Sequence, residues 1–194
     1  MTASPPHQAM TTSPLELVPA SQPEVAERHT VNAVLPLVEA TLDELSRQWE
    51  VLASAVVPRP GVLHTDSILS LVRGFAATTG KLLRPRMAHW GWVAAGGLDH
   101  GRGHDDLIRI GAALELLHCF ALVHDDVMDA SDTRRGNPSV HAVARAEHRE
   151  LGGLGDPQRY AENIAILVGD LLYSEADLLV GCLPEPLRAA WRTM

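Results

Sequence analysis

Apolar residues recur at spacings of three and four over most of this 194-residue chain. The spacing is clearest from about 31 to 57, from 107 to 129 and from 160 to 183. An α-helix returns to the same face about every 3.6 residues, so this spacing predicts helices with one buried face. A strand would instead alternate apolar and polar residues, and we find no convincing alternation. The sequence therefore predicts an all-α fold.

Prolines and glycines divide the chain into the expected helices. Pro58 to Pro60 end the first helix, and Pro36 is expected near its start, where a proline is tolerated. A second helix is expected to begin at Thr65 and to resume after Pro85, beyond an interruption at 78–80. The remaining expected elements are a polar turn at 131–137 and a short helix at 139–149.

The first 28 residues are set apart by their composition. They are rich in Pro, Ser, Thr and Gln without sustained apolar spacing, so we expect a disordered tail at 1–28 and one helical domain at 29–194. The N-terminus lacks a signal-peptide pattern, and no stretch is expected to span a bilayer. Two cysteines, Cys119 and Cys182, are too few for a disulfide framework, so a reducing, cytoplasmic location is expected.

The formal net charge of −8 argues against a nucleic-acid-binding module, because such modules concentrate Lys and Arg. The few basic residues are nevertheless clustered. Lys81 and Arg84 lie in one expected turn, and Arg134 and Arg135 lie in another. Guanidinium groups bind phosphate in a bidentate manner and a Lys ammonium binds it as a point charge. The clusters therefore predict a site for a small phosphorylated anion.

Three carboxylates crowd the C-terminal end of the helix predicted at 107–129. Asp125, Asp126 and Asp129 repel one another there, and the helix dipole opposes all three. A bound cation would relieve this repulsion, and hard oxygen ligands suit Mg²⁺. A solvated acidic helix end is the alternative. Together with the basic turns, the carboxylates predict a magnesium-diphosphate pocket, with His118 on the same line of the helix.

The segment E-L-L-H-C-F-A-L-V-H-D-D-V-M-D-A-S-D-T-R-R-G, at 115–136, resembles the first Asp-rich motif of the trans-isoprenyl diphosphate synthases, the polyprenyl synthetase family. The segment G-K-L-L-R-P, at 80–85, resembles that family's G-G-K-x-x-R-P loop. The resemblance extends from about Val31 to the end of the chain. It implies the N-terminal part of the isoprenoid synthase helical bundle. Thr79 and Leu82 depart from the loop pattern.

The resemblance also implies a reaction and roles for the motif residues. Asp125 and Asp129 would ligate Mg²⁺ at the allylic diphosphate, with Asp126 ligating or supporting, and Arg134 would contact that diphosphate. Pyrophosphate would leave, and the double bond of isopentenyl diphosphate would attack the allylic cation. The residues implied to hold isopentenyl diphosphate are Lys81, Arg84, His118 and Arg135.

Product length in this family depends on side-chain bulk just before the Asp-rich motif. Phe120 and Ala121 occupy the fifth and fourth positions before Asp125, an arrangement that resembles geranylgeranyl diphosphate synthases. The family's second Asp-rich motif is not found after Arg149, so we expect a truncated form with little activity alone. A non-catalytic partner subunit of a complete synthase, a class I terpene cyclase fragment and a ligand-free acidic scaffold are the alternatives. A homodimer or a heteromer is expected.

Overall fold

The computed structural model describes residues 23–53, 65–77, 80–98 and 100–193. These residues are almost entirely helical, as the all-α prediction requires. A two-stranded antiparallel hairpin of β1 (Thr133–Arg134) and β2 (Asn137–Pro138) interrupts the helices. The helices are α1 (Pro23–Ala53), α2 (Thr65–Ala77), α3 (Leu83–Ala94), α4 (Arg102–Met128), α5 (Val140–Glu150), α6 (Pro157–Gly181) and α7 (Glu185–Trp191).

Helix α4 lies at the centre of the fold. It packs most extensively against α6, and it also contacts α1 and α3. Small residues line both partners of the central pair, including Ala112 and Ala113 on α4 and Ala161 and Ala165 on α6, all fully buried. Small side chains at a contact shorten the distance between two helix axes. The Asp-rich segment is therefore carried by the helix that packs most extensively in the described structure.

The apolar character of α4 is greater than the sequence reading anticipated. By length and composition alone this helix could cross a membrane, so the expectation that no stretch qualifies is wrong on that criterion. A core helix of a globular domain meets the same criterion. Since α4 packs against α1, α3 and α6, its place in the core accounts for its composition.

Helix α1 begins earlier than predicted. It starts at Pro23, so the disordered tail expected at 1–28 is wrong for 23–28, whereas 1–22 lie outside the described residues. Pro36 lies inside the helix and not near its start. The extra N-terminal turns are held by Thr30, whose buried hydroxyl lies 2.9 Å from His89 Nδ1 and 2.9 Å from His104 Nε2. These contacts are long-range, so no local spacing indicated them.

Smaller differences occur elsewhere. The turn expected at 131–137 contains the β hairpin, because its two ends pair as antiparallel strands. Helix α3 starts at Leu83, ahead of Pro85, and α7 was not predicted. Thr79 and the Pro58–Pro60 segment lie outside the described residues.

Candidate active site

The hairpin after α4 carries two arginines back towards that helix. Its two central residues, Arg135 and Gly136, have positive φ angles of 52° and 82°. Positive φ at both central residues is the mark of the primed turns that close two-residue hairpins. Glycine adopts this conformation freely, whereas a left-handed conformation costs another residue about 1–2 kcal/mol. Arg135 is thus held in a strained conformation, which is common at functional sites.

Arg134 is bound to the acidic end of α4. Its Nη2 lies 2.8 Å from Asp126 Oδ1 and 3.0 Å from Asp125 Oδ2. The hydrogen bond to Asp126 raises the pKa of Arg134, and the bond to Asp125 adds to this. The Asp126 side chain is only 2% exposed, against 55% for that of Asp125. The buried carboxylate of Asp126 therefore fixes the position of the Arg134 guanidinium.

The guanidinium of Arg135 lies against the loop that precedes α3. A Cβ atom built on Gly80 would be 2.7 Å from Arg135 Nη1, which is shorter than real contacts allow. Glycine at this position therefore leaves the space that Arg135 occupies. The two basic turns expected from the sequence meet at this point.

A cavity of about 390 Å³ opens between α2, α4, α5 and the hairpin. Polar groups from five elements reach it: Ser70 from α2, Gly80 from the loop, Glu115 and His118 from α4, Arg134, Arg135 and Asn137 from the hairpin, and Glu147 from α5. The rest of its wall is largely apolar, with Leu71, Phe75, Leu122, Val140 and Val143 among its residues. The cavity thus combines two guanidinium groups and two glutamate side chains with a largely apolar wall.

Burial and the neighbouring guanidinium groups control the protonation of His118. Burial lowers the pKa of His118 to about 4, and the positive charges of Arg84, Arg135 and Arg134 act in the same direction. The imidazole is therefore neutral at pH 7, with one N–H to donate. One turn earlier, burial raises the pKa of Glu115 while Arg84 and Arg135 oppose the rise.

The structure brings together some of the predicted residues and separates others. His118, Arg134 and Arg135 line the cavity, and Arg84 is close enough to influence His118 and Glu115. Lys81 and Arg84 are exposed and do not line it. Long cationic side chains of this kind commonly keep their charged ends in water.

The two residues predicted to control product length lie away from this cavity. The ring of Phe120 packs 4.6 Å from the ring of His124 and 5.4 Å from that of Tyr173, between α4 and α6. The neighbouring Ala121 is exposed. On a helix, successive residues point in directions about 100° apart, so Phe120, two residues after His118, points to the opposite side. Ala121, three residues after His118, lies nearer that face but does not line the cavity.

The three aspartates do not converge on one point. Asp125 and Asp129 are exposed, whereas Asp126 is buried against Arg134. Within the described residues, no group of three or more His, Cys, Asp or Glu side chains is arranged to hold a metal ion. Mg²⁺ commonly takes one or two protein carboxylates and completes its shell with water and phosphate. Asp125 and Asp129, one helical turn apart and exposed, fit that requirement, whereas the buried carboxylate of Asp126 contacts Arg134.

The family model for polyprenyl synthetases matches residues 66–189. The chain belongs to the polyprenyl synthetase family. Among curated relatives, it is 39% identical over 135 residues to a short chain isoprenyl diphosphate synthase of Methanothermobacter thermautotrophicus. It is 30% identical over 148 residues to a geranylgeranyl diphosphate synthase of Methanosarcina mazei. These alignments span 70% and 76% of this chain.

Solved structures of polyprenyl synthetases support the fold assignment. Geranylgeranyl pyrophosphate synthase from Corynebacterium glutamicum, complexed with isoprenyl diphosphate and magnesium, is similar with a TM-score of 0.60 at 30% identity. The similarity covers 89% of this chain and 45% of that one. The curated alignments cover 35% and 39% of the relatives. The chain therefore spans less than half the length of these relatives.

Sequence reasoning gave no role to several residues of this candidate site. Glu115 lies in the quoted motif but received no function, and Gly80 was noted only as part of its loop. Glu147 of α5 also lines the cavity, with one buried carboxylate oxygen that has no hydrogen-bond partner in the described structure. Nothing in its local sequence indicates this position, because the contact depends on how α5 packs beside α4.

Proposed function

We propose that this chain forms the diphosphate-binding part of a trans-prenyltransferase that condenses an allylic diphosphate with isopentenyl diphosphate. One observation carries the proposal: the guanidinium groups of Arg134 and Arg135 and the neutral imidazole of His118 share a cavity whose interior is largely apolar. A diphosphate group requires the guanidinium and imidazole hydrogen-bond donors, and an isoprenoid chain requires the apolar wall. The family membership agrees with both.

In this proposal, Asp125, Asp129 and Arg134 act on the allylic diphosphate. Asp125 and Asp129 would hold Mg²⁺ with their exposed carboxylates. The metal supplies Lewis-acid stabilisation of the negative charge that grows on the leaving oxygen. Arg134 adds a fixed positive charge beside it, and Asp126 keeps that guanidinium in place. Asp126 is thus assigned a supporting role and not a ligating one.

The second substrate is assigned to the other basic residues. Arg135 and His118 line the cavity and would donate hydrogen bonds to the diphosphate of isopentenyl diphosphate. The charge of Arg84 already reaches His118, and Lys81 follows Gly80, which lines the cavity. Both flexible side chains would close over a bound anion.

The chemistry that follows is an electrophilic substitution. The bond from the allylic carbon to the diphosphate oxygen breaks, and pyrophosphate leaves with the electron pair. The double bond of isopentenyl diphosphate then attacks the allylic carbon, and loss of one proton restores a double bond. The enzyme residues provide fixed charge and exclude water, and no covalent enzyme intermediate is needed.

A class I terpene cyclase fits the site less well. Such an enzyme handles one diphosphate, so it has no use for a second cluster of basic residues. Here Arg135, beside Gly80, forms that second cluster with His118. The polyprenyl synthetase match at 66–189 points the same way.

A geranylgeranyl-type product is our proposal for chain length. Its support is the aromatic contact of Phe120 with Tyr173 of α6, together with the small, exposed side chain of the neighbouring Ala121. Product analysis of an active synthase that contains this chain checks it. Fifteen-carbon products as the main species would contradict the proposal.

Our proposal also covers the protein needed for prenyl transfer and the oligomeric state. Because the aligned region covers about a third of the first relatives, we propose that catalysis requires further protein beyond these residues.

The outer face of α6 carries two exposed apolar side chains, Leu167 and Leu178. They favour a partner that covers this face in a homodimer or heteromer. Light scattering and prenyl-transfer assays, alone and with a complete synthase, separate a fragment from a non-catalytic partner subunit. A cytoplasmic location stays a prediction.

Isothermal titration tests the binding function directly. Wild-type chain titrated with geranyl diphosphate in the presence of Mg²⁺ should release or absorb heat and bind with defined stoichiometry. The Arg134→Gln/Arg135→Gln double variant should bind at least tenfold more weakly, since charge-assisted contacts are lost. Equal heats for both proteins, or none for either, would contradict the proposal and support a scaffold without ligand.

A further inference from the structure

We propose that Asp132, His141 and Arg145 form a clamp that positions the Arg134–Arg135 hairpin for diphosphate binding. The inference rests on the proposed function and deepens it. It assigns the three residues to positioning, because none of them lines the cavity within the described structure.

Asp132 is the centre of the clamp and immediately precedes β1. Its Oδ1 lies 3.2 Å from His141 Nε2, and its Oδ2 accepts a hydrogen bond of 2.8 Å from Arg145 Nη2. The backbone N–H of Ser139 also donates to the Asp132 carbonyl oxygen at 2.9 Å. Both carboxylate oxygens and the main chain of Asp132 are therefore tied to the start of α5.

The clamp continues into α6. Arg145 donates a second hydrogen bond, of 2.6 Å, from Nη1 to Oε1 of Gln158. Gln158 in turn donates to Glu162 at 2.7 Å on the same helix. The residue that leads into the hairpin is thus anchored to two helices at once. Arg134, at the other end of β1, is anchored to α4 through Asp126.

The hairpin needs such anchoring because its own structure is weak. Each strand has two residues, and isolated short hairpins are marginal in water. Arg135 adds strain through its φ of 52°. A strained conformation persists only when its surroundings hold it. Without the clamp, the hairpin would relax and move the Arg135 guanidinium away from the cavity.

The same residues also resemble a nucleophilic triad, and the structure argues against that reading. The Ser139 hydroxyl lies 3.2 Å from His141 Nδ1, opposite the contact with Asp132. Ser139 is fully buried at 0% exposure, however, and His141 is buried at 1%. A substrate carbonyl has no access to this hydroxyl. The arrangement therefore orders the chain and does not attack a substrate.

The test measures binding of inorganic pyrophosphate with Mg²⁺ by isothermal titration. Asp132→Ala should weaken binding about tenfold, as loss of an outer orienting partner commonly does. Asp132→Asn keeps the shape and an acceptor for Arg145, so it should recover most of the affinity. Glu185→Ala is the matched control: it removes a carboxylate of α7 that lies 2.7 Å from Arg188 and 2.7 Å from Arg192, the C-cap residue of that helix. This control should bind like wild type.

Hydrogen exchange of the hairpin separates positioning from general stability. In Asp132→Ala, amides of 133–137 should exchange faster while those of the α4–α6 core keep their protection. A purely structural role would lower the free energy of unfolding and leave the affinity of the folded protein unchanged.

The outcomes distinguish failure of the clamp from failure of the proposed diphosphate-binding function. Wild type that binds pyrophosphate with the same affinity as Asp132→Ala overturns the clamp alone. Wild type that does not bind pyrophosphate at all overturns the proposed function and the clamp with it.

Discussion

Arg134 Nη2 lies 2.8 Å from Oδ1 of Asp126, whose side chain is 2% exposed. The other carboxylate oxygen, Oδ2, is buried and has no hydrogen-bond partner within the described structure. Arg134 therefore provides most of the compensation for a buried negative charge. Removal of one partner of such a pair is costly because the other stays buried and unpaired.

Arg134→Gln should destabilise the folded chain by about 3 kcal/mol, the lower end of the range for breaking a buried pair. Arg134 is itself 25% exposed, which limits the loss. Urea unfolding of Arg134→Gln, Asp126→Asn and the double variant measures the coupling. The double variant should lose clearly less stability than the sum of the single losses. Strict additivity would show that the two side chains do not depend on each other.

Gly80→Ala should weaken pyrophosphate binding with little change in stability. The added Cβ would lie 2.7 Å from Arg135 Nη1, the far end of a flexible side chain, which moves at small cost. The guanidinium then leaves its place in the cavity, and we expect affinity to fall about tenfold. Gly91→Ala is the matched control, since a Cβ there meets nothing within 4 Å. Equal affinity of Gly80→Ala and wild type would contradict the contact.

The sequence predicted those parts of the fold that local spacing controls. The helix expected at 107–129 corresponds to α4, Arg102–Met128, and its buried residues Ala112, Leu116, Cys119 and Val123 recur at three-four spacing. The start of α1 was missed because Thr30 is buried through His89 and His104, which lie 59 and 74 residues further along the chain. Contacts of that separation leave no local pattern.

At the candidate site, the sequence indicated which residue types cluster and not how each side chain is directed. It grouped Asp125, Asp126 and Asp129, whereas in the structure Asp125 and Asp126 contact Arg134 and only Asp126 of the three is buried. The strained turn at Arg135 was also missed. Arginine is not typical of that position, so a structure was needed to show its positive φ.

Acidification should destabilise the protein through His118. Its pKa in the folded chain is about 4, below the ordinary value of 6.5. Between these two values, the unfolded chain binds more protons at this residue, so the free energy of unfolding falls as pH falls from 6.5 towards 4. Above pH 6.5 the contribution is constant.

Urea unfolding at pH 7.5 and pH 5 measures the effect of His118. His118→Gln should lose less stability over this interval than wild type, because glutamine does not titrate. His100→Gln, at an exposed position, is the control and should behave like wild type. An identical pH dependence for His118→Gln and wild type would show that His118 is not shifted.

The aspartates at the end of α4 should separate into two classes. Asp129 is exposed at the C-cap of α4, where the helix dipole disfavours a negative charge. Asp129→Asn should therefore keep or raise stability, by about 0.5 kcal/mol, while Mg²⁺-dependent pyrophosphate affinity falls at least tenfold. Asp126→Asn should instead lose stability, because Arg134 loses its charged partner. Titrations with Mg²⁺ and with EDTA, beside urea unfolding, measure both properties. Metal-dependent binding that survives in Asp129→Asn would exclude this carboxylate as a ligand.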